Sequence, residues 1–218
     1  MKCLTVKQVK KIDQKATQQI GISTLVMMEN AGIRIADFVL KILAKKKDKK
    51  IAVICGKGNN AGDGLVVSRQ LICEDVDVDT FLLAPPDSLS TEAKRNLSIL
   101  KSLTRKIYLI KTKEHLKRIS FSSYSLLVDA IFGIGLKGKV EGIFKAAIEK
   151  INSSRGTVIS VDVPSGLDAN KGVPLGIAVN ADYTISLIAP KKGFLSNRAR
   201  RFTGRLIISH IGFPCQRI

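Results

Sequence analysis

An unbroken apolar strand that runs through glycines into an apolar helix leaves few folds open, and residues 51–72 form such a stretch. Ile51-Ala52-Val53-Ile54-Cys55 is the pattern of a strand covered on both faces. Leu65, Val66, Val67, Leu71 and Ile72 follow at helical spacing. Between the two runs stand Gly56, Gly58, Gly62 and Gly64, with Asn59, Asn60 and Asp63 among them. A strand that turns through glycines into a helix leaves backbone N–H groups unpaired. Open α/β sheets hold phosphate-bearing ligands at such turns.

The spacing Gly56-x-Gly58-x-x-x-Gly62 is one residue longer than the dinucleotide fingerprint, and no Gly-Lys-Ser/Thr closes it as a Walker A loop. The asparagines and the aspartate are additions to a plain phosphate cradle, because they offer oxygens to a hard cation or a polar ligand. The simpler alternative is a tight turn, with Gly at positive φ and Asn or Asp capping the helix.

The rest of the chain alternates. Thr5 is placed to cap a helix carrying Val6, Val9, Ile12 and Ala16, and a second helix from about Ser23 carries Leu25, Met28, Ala31, Ile35 and Val39. Strands are expected at Val76–Leu83, Ile107–Ile110, Leu126–Phe132, Val158–Val163, Tyr183–Ile188 and Leu206–Ser209, with helices at Leu89–Leu100, Thr112–Ile119 and Val140–Ile151. This order predicts a three-layer α/β/α sheet, mostly parallel, within one domain spanning 1–218. The last two strands have no periodic helix between them, which leaves an antiparallel edge open there.

Composition narrows the setting. Cys3, Cys55, Cys73 and Cys215 are scattered, with no CxxC pair and two histidines, which argues against a zinc site or a disulfide framework. The N-terminus turns polar too early for a secretory segment, and no apolar run is long enough to span a bilayer, so a cytoplasmic protein without a membrane partner is expected. The net charge of +18, from 36 basic and 18 acidic residues, suits polyanions or anionic small substrates. The basic residues are spread widely and few aromatics lie among them, so a nucleic-acid surface is not favoured over a solvated one.

Three polar segments leave expected strands at their carboxyl ends: Gly56–Gly64, Asp129–Val140 and Val161–Gly172. Two strand-end acids, Asp129 and Asp162, each followed by a glycine loop, predict a shared site at one sheet edge. Backbone N–H groups of the loops can take phosphates, while Asn60, Asp129 and Ser165 offer oxygens to a cation. Asp162 remains as a proton-transfer group, since a partly desolvated carboxyl can be tuned towards neutrality. No nucleophile–base pair is visible, and neither His115 nor His210 lies in a motif.

These segments carry a resemblance. GKGNNAGDG (56–64 with its preceding Cys55 strand end), DAIFGIGLKG (129–138), VDVPSGLDANKG (161–172) and MMENAG (27–32) resemble, in order, the signatures of the NAD(P)H-hydrate epimerases, the YjeF N-terminal domain family. The resemblance implies a Rossmann-like fold, usually a homodimer, that interconverts R and S hydrates of NADH and NADPH for a partner dehydratase. By matching positions, Asn59, Asn60, Ala61, Gly62, Asp63, Gly133, Ile134, Gly135, Leu136, Lys137, Gly138, Lys139 and Asp162 would contact the hydrate. Asn60, Asp129 and Ser165 would hold a potassium ion. Ala61 replaces the usual Gly, so a slightly reshaped loop is expected. The chain stops at Ile218, and a separate dehydratase is therefore expected.

The expected chemistry has Asp162 as general acid and base, assisting loss and return of the ring hydroxyl. A rival reading is a non-catalytic dimerisation and RNA-binding module of the same fold, to which the charge lends some weight and which does not require intact polar loops.

Overall fold

The computed structural model describes residues 2–213, and the run Ile51–Cys55 is its first strand, β1. With β2 (Val78–Leu82), β3 (Ile107–Leu109), β4 (Leu126–Ala130), β5 (Thr157–Val161), β6 (Tyr183–Leu187) and β7 (Arg205–Ser209) it forms a seven-stranded sheet. The order is β3-β2-β1-β4-β5-β6-β7, and every neighbouring pair is parallel. Every β1 residue is buried, because helices cover both faces. Val53 and Cys55 pack with Ile35, Val39, Leu65 and Leu97 on one side. Ala52 and Ile54 pack with Leu116, Ile148 and Ile151 on the other.

The helices are α1 (Val6–Lys15), α2 (Thr24–Leu43), α3 (Asn59–Cys73), α4 (Thr91–Leu103), α5 (Lys113–Lys117), α6 (Gly142–Asn152) and α7 (Arg200–Thr203). Thr5 caps α1 in a reciprocal box with Gln8, and Ser23 caps α2 by accepting from the Val26 N–H, so both expected starts hold. β7 corrects the expectation of an antiparallel edge: it runs parallel to β6. The crossover between them is made of a 3₁₀ turn at Lys192–Leu195 and the single turn of α7. Pieces that short carry no helical period for a sequence reading to find.

From β1 the chain winds outward through β2 and β3, then returns to place β4 on the other flank of β1. The crevice beyond the carboxyl ends of β1 and β4 is the switch point, where such sheets bind ligands.

Candidate active site

A cleft of about 1190 Å³ opens at that switch point. Sites for small drug-sized ligands occupy roughly 300–1,000 Å³, so this cleft accommodates something larger. Its floor is set by a close crossing. Gly56 follows β1 so near the exit of β4 that a Cβ there would lie 2.2 Å from the Ile131 carbonyl oxygen. Gly58, at φ +79°, then turns the chain into α3. Asn59, Asn60, Ala61, Gly62 and Asp63 are therefore the opening turns of a helix and not a loop. The N–H groups at such an end lack helical acceptors and sit at the positive end of the dipole, which favours an anion.

Ala61 does not face the backbone demand from which a reshaped loop was expected. Gly58 takes the positive φ, whereas Ala61 lies in helical backbone and is fully buried in the core. Alanine is the best helix former, so the site has no need of glycine there.

Asp129, near the end of β4, is fully buried and ties the second and third segments together. Its Oδ1 accepts from Ser165 Oγ at 2.5 Å and from the Ile131 N–H at 3.3 Å. Its Oδ2 accepts from Ser160 Oγ at 2.7 Å and from the Ser165 N–H at 2.8 Å. Burial pushes this carboxyl up, against the opposing pull of those four donors. Among the described residues no basic side chain is paired with it. Ser165 Oγ also accepts from the Phe132 N–H at 2.8 Å. Asn60 approaches the same turn, its Oδ1 being 3.0 Å from where a Cβ on Gly133 would stand, and its Nδ2 is buried without a hydrogen-bond partner. Asn60, Asp129 and Ser165 thus bracket residues 131–133. No group of three or more His, Cys, Asp and Glu side chains able to hold a metal exists among the described residues. A cation here would draw on one carboxylate with amide, hydroxyl and backbone oxygens.

Asp162 follows β5 in left-handed backbone, φ +64°, and lines the cleft. Its Oδ1 accepts from the Leu187 N–H at 3.1 Å and pairs with Lys191 Nζ at 2.5 Å. Lys191 is wholly buried, and its ammonium also donates to Ser186 Oγ and to the carbonyls of Leu187 and Ala189.

The remaining wall is α1. The Leu4 N–H donates to the Pro190 carbonyl at 2.8 Å, and the Lys192 N–H donates to the Leu4 carbonyl at 2.7 Å. The start of α1 is thereby fastened beside Lys191, and Asp13 faces the cleft together with Asp63 and Asp162. The Asp13 carboxyl is pushed up to about 6, by burial first and by the charge of Asp162 second, with Lys191 opposing. Asp63 is held well above the usual carboxylate range by burial, then by Asp162 and Asp13.

Of the expected ligand-contacting residues, Asn59, Asn60, Asp63, Gly133, Ile134, Gly135, Leu136, Lys137, Lys139 and Asp162 line this one cleft. Ala61, Gly62 and Gly138 do not line it, Ala61 and Gly62 being buried in α3 and Gly138 exposed, and Asp129 and Ser165 are fully buried behind the lining. His115 and His210 are not part of it. Sequence reasoning missed Lys191 and Asp13. A signal for Asp13 existed: it falls between Val9 and Ala16 on the buried stripe of α1, where an acid is out of place. Nothing comparable marks Lys191.

Fold and site together define a parallel α/β protein whose ligand cleft is built on the switch point from glycine-bearing strand ends. Residues 24–193 match the family described as "YjeF-related protein N-terminus", and the chain belongs to that family. It is 36% identical over 98% of its length to a bifunctional NAD(P)H-hydrate repair enzyme of Moorella thermoacetica, of which it spans 41%. It is 34% identical to an NAD(P)H-hydrate epimerase of Elusimicrobium minutum, covering 98% of this chain and 97% of that one. A crystal structure of the yeast protein ynu0 superposes with a TM-score of 0.80 at 26% identity, over 96% of this chain and 87% of that one.

Proposed function

We propose that the cleft epimerises the R and S hydrates of NADH and NADPH, as an isomerase of nicotinamide cofactor repair. The observation that carries this reading is the meeting of all three motif segments around one cleft large enough for a dinucleotide. The relative from Elusimicrobium minutum, of similar length, is named for this activity. The opening turns of α3 receive the substrate's phosphates, and Gly133–Lys139 close over it. Asp162 exchanges a proton with the ring hydroxyl, as acid in one direction and as base in the other, and the lone pair of the ring nitrogen stabilises the iminium-like state between. The rival RNA-binding reading would not need this convergence of polar groups.

A potassium ion fits the residues beneath the cleft. The buried, cation-free carboxyl of Asp129 is what a hard monovalent cation would relieve, with Asn60 Oδ1 at the Gly133 turn and Ser165 Oγ as further oxygen ligands. When bound, potassium supplies positive charge next to the anionic substrate. The product is passed to a dehydratase, and the working unit is a homodimer in the cytoplasm. No helix among the described residues is long and apolar enough to cross a membrane.

The test is equilibration of separated hydrate epimers, with and without potassium. Wild-type protein should speed it, and Asp162→Ala should slow it by about 10²–10⁴-fold. An Asp162→Ala variant as fast as wild type removes the role given to that carboxyl.

A further inference from the structure

Epimerisation by loss and return of a hydroxyl has a geometric demand that one carboxyl does not meet. The hydroxyl leaves from one face of the ring and water must add to the other. A single group fixed beside one face serves only one of these events. The cleft holds more acids than the chemistry assigned to Asp162 uses. Besides the exposed Glu141, three reach it from separate elements: Asp162 from the end of β5, Asp63 from α3, and Asp13 from α1.

Asp13 is unlike the other two. Asp162 is ion-paired to Lys191, and Asp63 is buried within α3. The Asp13 carboxyl is half-buried, opens on the cleft, and makes no ion pair or side-chain hydrogen bond among the described residues. Its position is nonetheless fixed. The segment before α1 is bonded to both neighbours of Lys191, at Pro190 and Lys192, and the Val6 N–H donates to Asn170 Oδ1 at 2.9 Å. The capping box at Thr5 then sets the helix on which Asp13 rides. The same short stretch of chain is therefore tied both to the helix that carries Asp13 and to the segment whose Lys191 pairs with Asp162.

We propose that Asp13 is the second proton-transfer group of the cleft, acting from the α1 wall while the Lys191-paired Asp162 acts from the sheet edge. This rests on the epimerase reading given above. In one direction the Asp13 carboxyl gives its proton to the ring hydroxyl. The carbon–oxygen bond breaks with its electron pair leaving on water, and the nitrogen lone pair forms the carbon–nitrogen double bond. A water on the opposite face then adds to that carbon, its proton passes to the Asp162 carboxylate, and the electrons of the double bond return to nitrogen. The net change is inversion, with one proton moved from Asp13 to Asp162; the other epimer runs the steps in reverse. Burial and the facing charge of Asp162 hold Asp13 near the pH at which such a group works best. Asp63, Asp162 and Lys191 are the ionisable neighbours across the cleft, and Lys10 lines it from α1 itself.

The experiment is initial rates in both directions for wild type, Asp13→Asn and Asp13→Glu, from about pH 5 to about pH 9. Asp13→Asn should lower kcat by about 10²-fold or more while KM changes little, and should erase one limb of the pH profile. Asp13→Glu should restore part of kcat with that limb displaced. Wild-type kcat and both limbs intact in Asp13→Asn would overturn the proposal. Should Asp13→Asn fail to fold by circular dichroism, Asp13→Glu decides: a displaced limb supports the role and an unmoved one overturns it. Wild-type protein that leaves the epimers unequilibrated overturns the epimerase reading itself, whereas an active wild type indifferent to Asp13 overturns only this inference.

Discussion

The Lys191 ammonium lies 2.5 Å from Asp162 Oδ1 and is wholly removed from solvent. Three further acceptors, Ser186 Oγ and the Leu187 and Ala189 carbonyls, complete its shell. An ammonium so enclosed is tolerated because every proton has a partner. Lys191→Met would strand Asp162, itself only 7% exposed, as an unpaired buried charge. The expected loss is about 3–5 kcal/mol, read from urea unfolding. Adding Asp162→Asn should recover part of it, since the stranded charge is then gone. A double variant no more stable than Lys191→Met would show that lost packing, and not charge, is responsible.

Asp13 gives a pH-dependent counterpart. Its carboxyl is raised from 3.8 to about 6, by burial ahead of the Asp162 charge. The folded protein therefore holds this proton more tightly than the unfolded chain does, and stability falls as pH rises from about 4 to about 6. Above that interval the full penalty of ionisation remains. Asp13→Asn is accordingly expected to unfold at a higher temperature than wild type at pH 8, with the advantage gone near pH 4. Thermal unfolding at the two values measures it; an equal difference at both would mean the effect is steric.

The β1 run, the three strand-end segments and the two strand-end acids were legible because each is local. An apolar run, a glycine cluster and a terminal acid need only a few adjacent residues to be seen. The pairing of Asp162 with Lys191 was not legible, since one lysine among 36 basic residues looks like solvated surface until the fold encloses it. Asp13 carries no motif around it, although its register with Val9 and Ala16 puts it on the buried side of α1. The parallel setting of β7 was hidden for a different reason: its crossover is too short to be periodic.

The close crossing at Gly56 predicts a sharp asymmetry between two glycines. In Gly56→Ala the new methyl meets backbone, the Ile131 carbonyl, at 2.2 Å, so β1 and β4 must separate where the cleft begins. Overpacking of this kind costs about 1–3 kcal/mol or more. Gly135 has open space around it and no positive φ, so Gly135→Ala should leave the unfolding midpoint within about 0.5 kcal/mol of wild type. Equal denaturation midpoints for the two variants would contradict the geometry.

The residues beneath the cleft predict a cation effect that does not depend on turnover. A ligand that binds only the folded protein stabilises it, by about 2.7 kcal/mol at a hundred times its dissociation constant. Potassium chloride should therefore raise Tm above that in tetramethylammonium chloride at the same ionic strength. The matched salt matters because a chain of net charge +18 responds to screening alone. Asn60 is the residue to remove, since its Oδ1 reaches the Gly133 turn and its loss leaves the four bonds of Asp129 in place. Asn60→Ala should keep its fold and lose most of the potassium-specific rise. Equal Tm values in the two salts, or a full rise in Asn60→Ala, would remove potassium from the site.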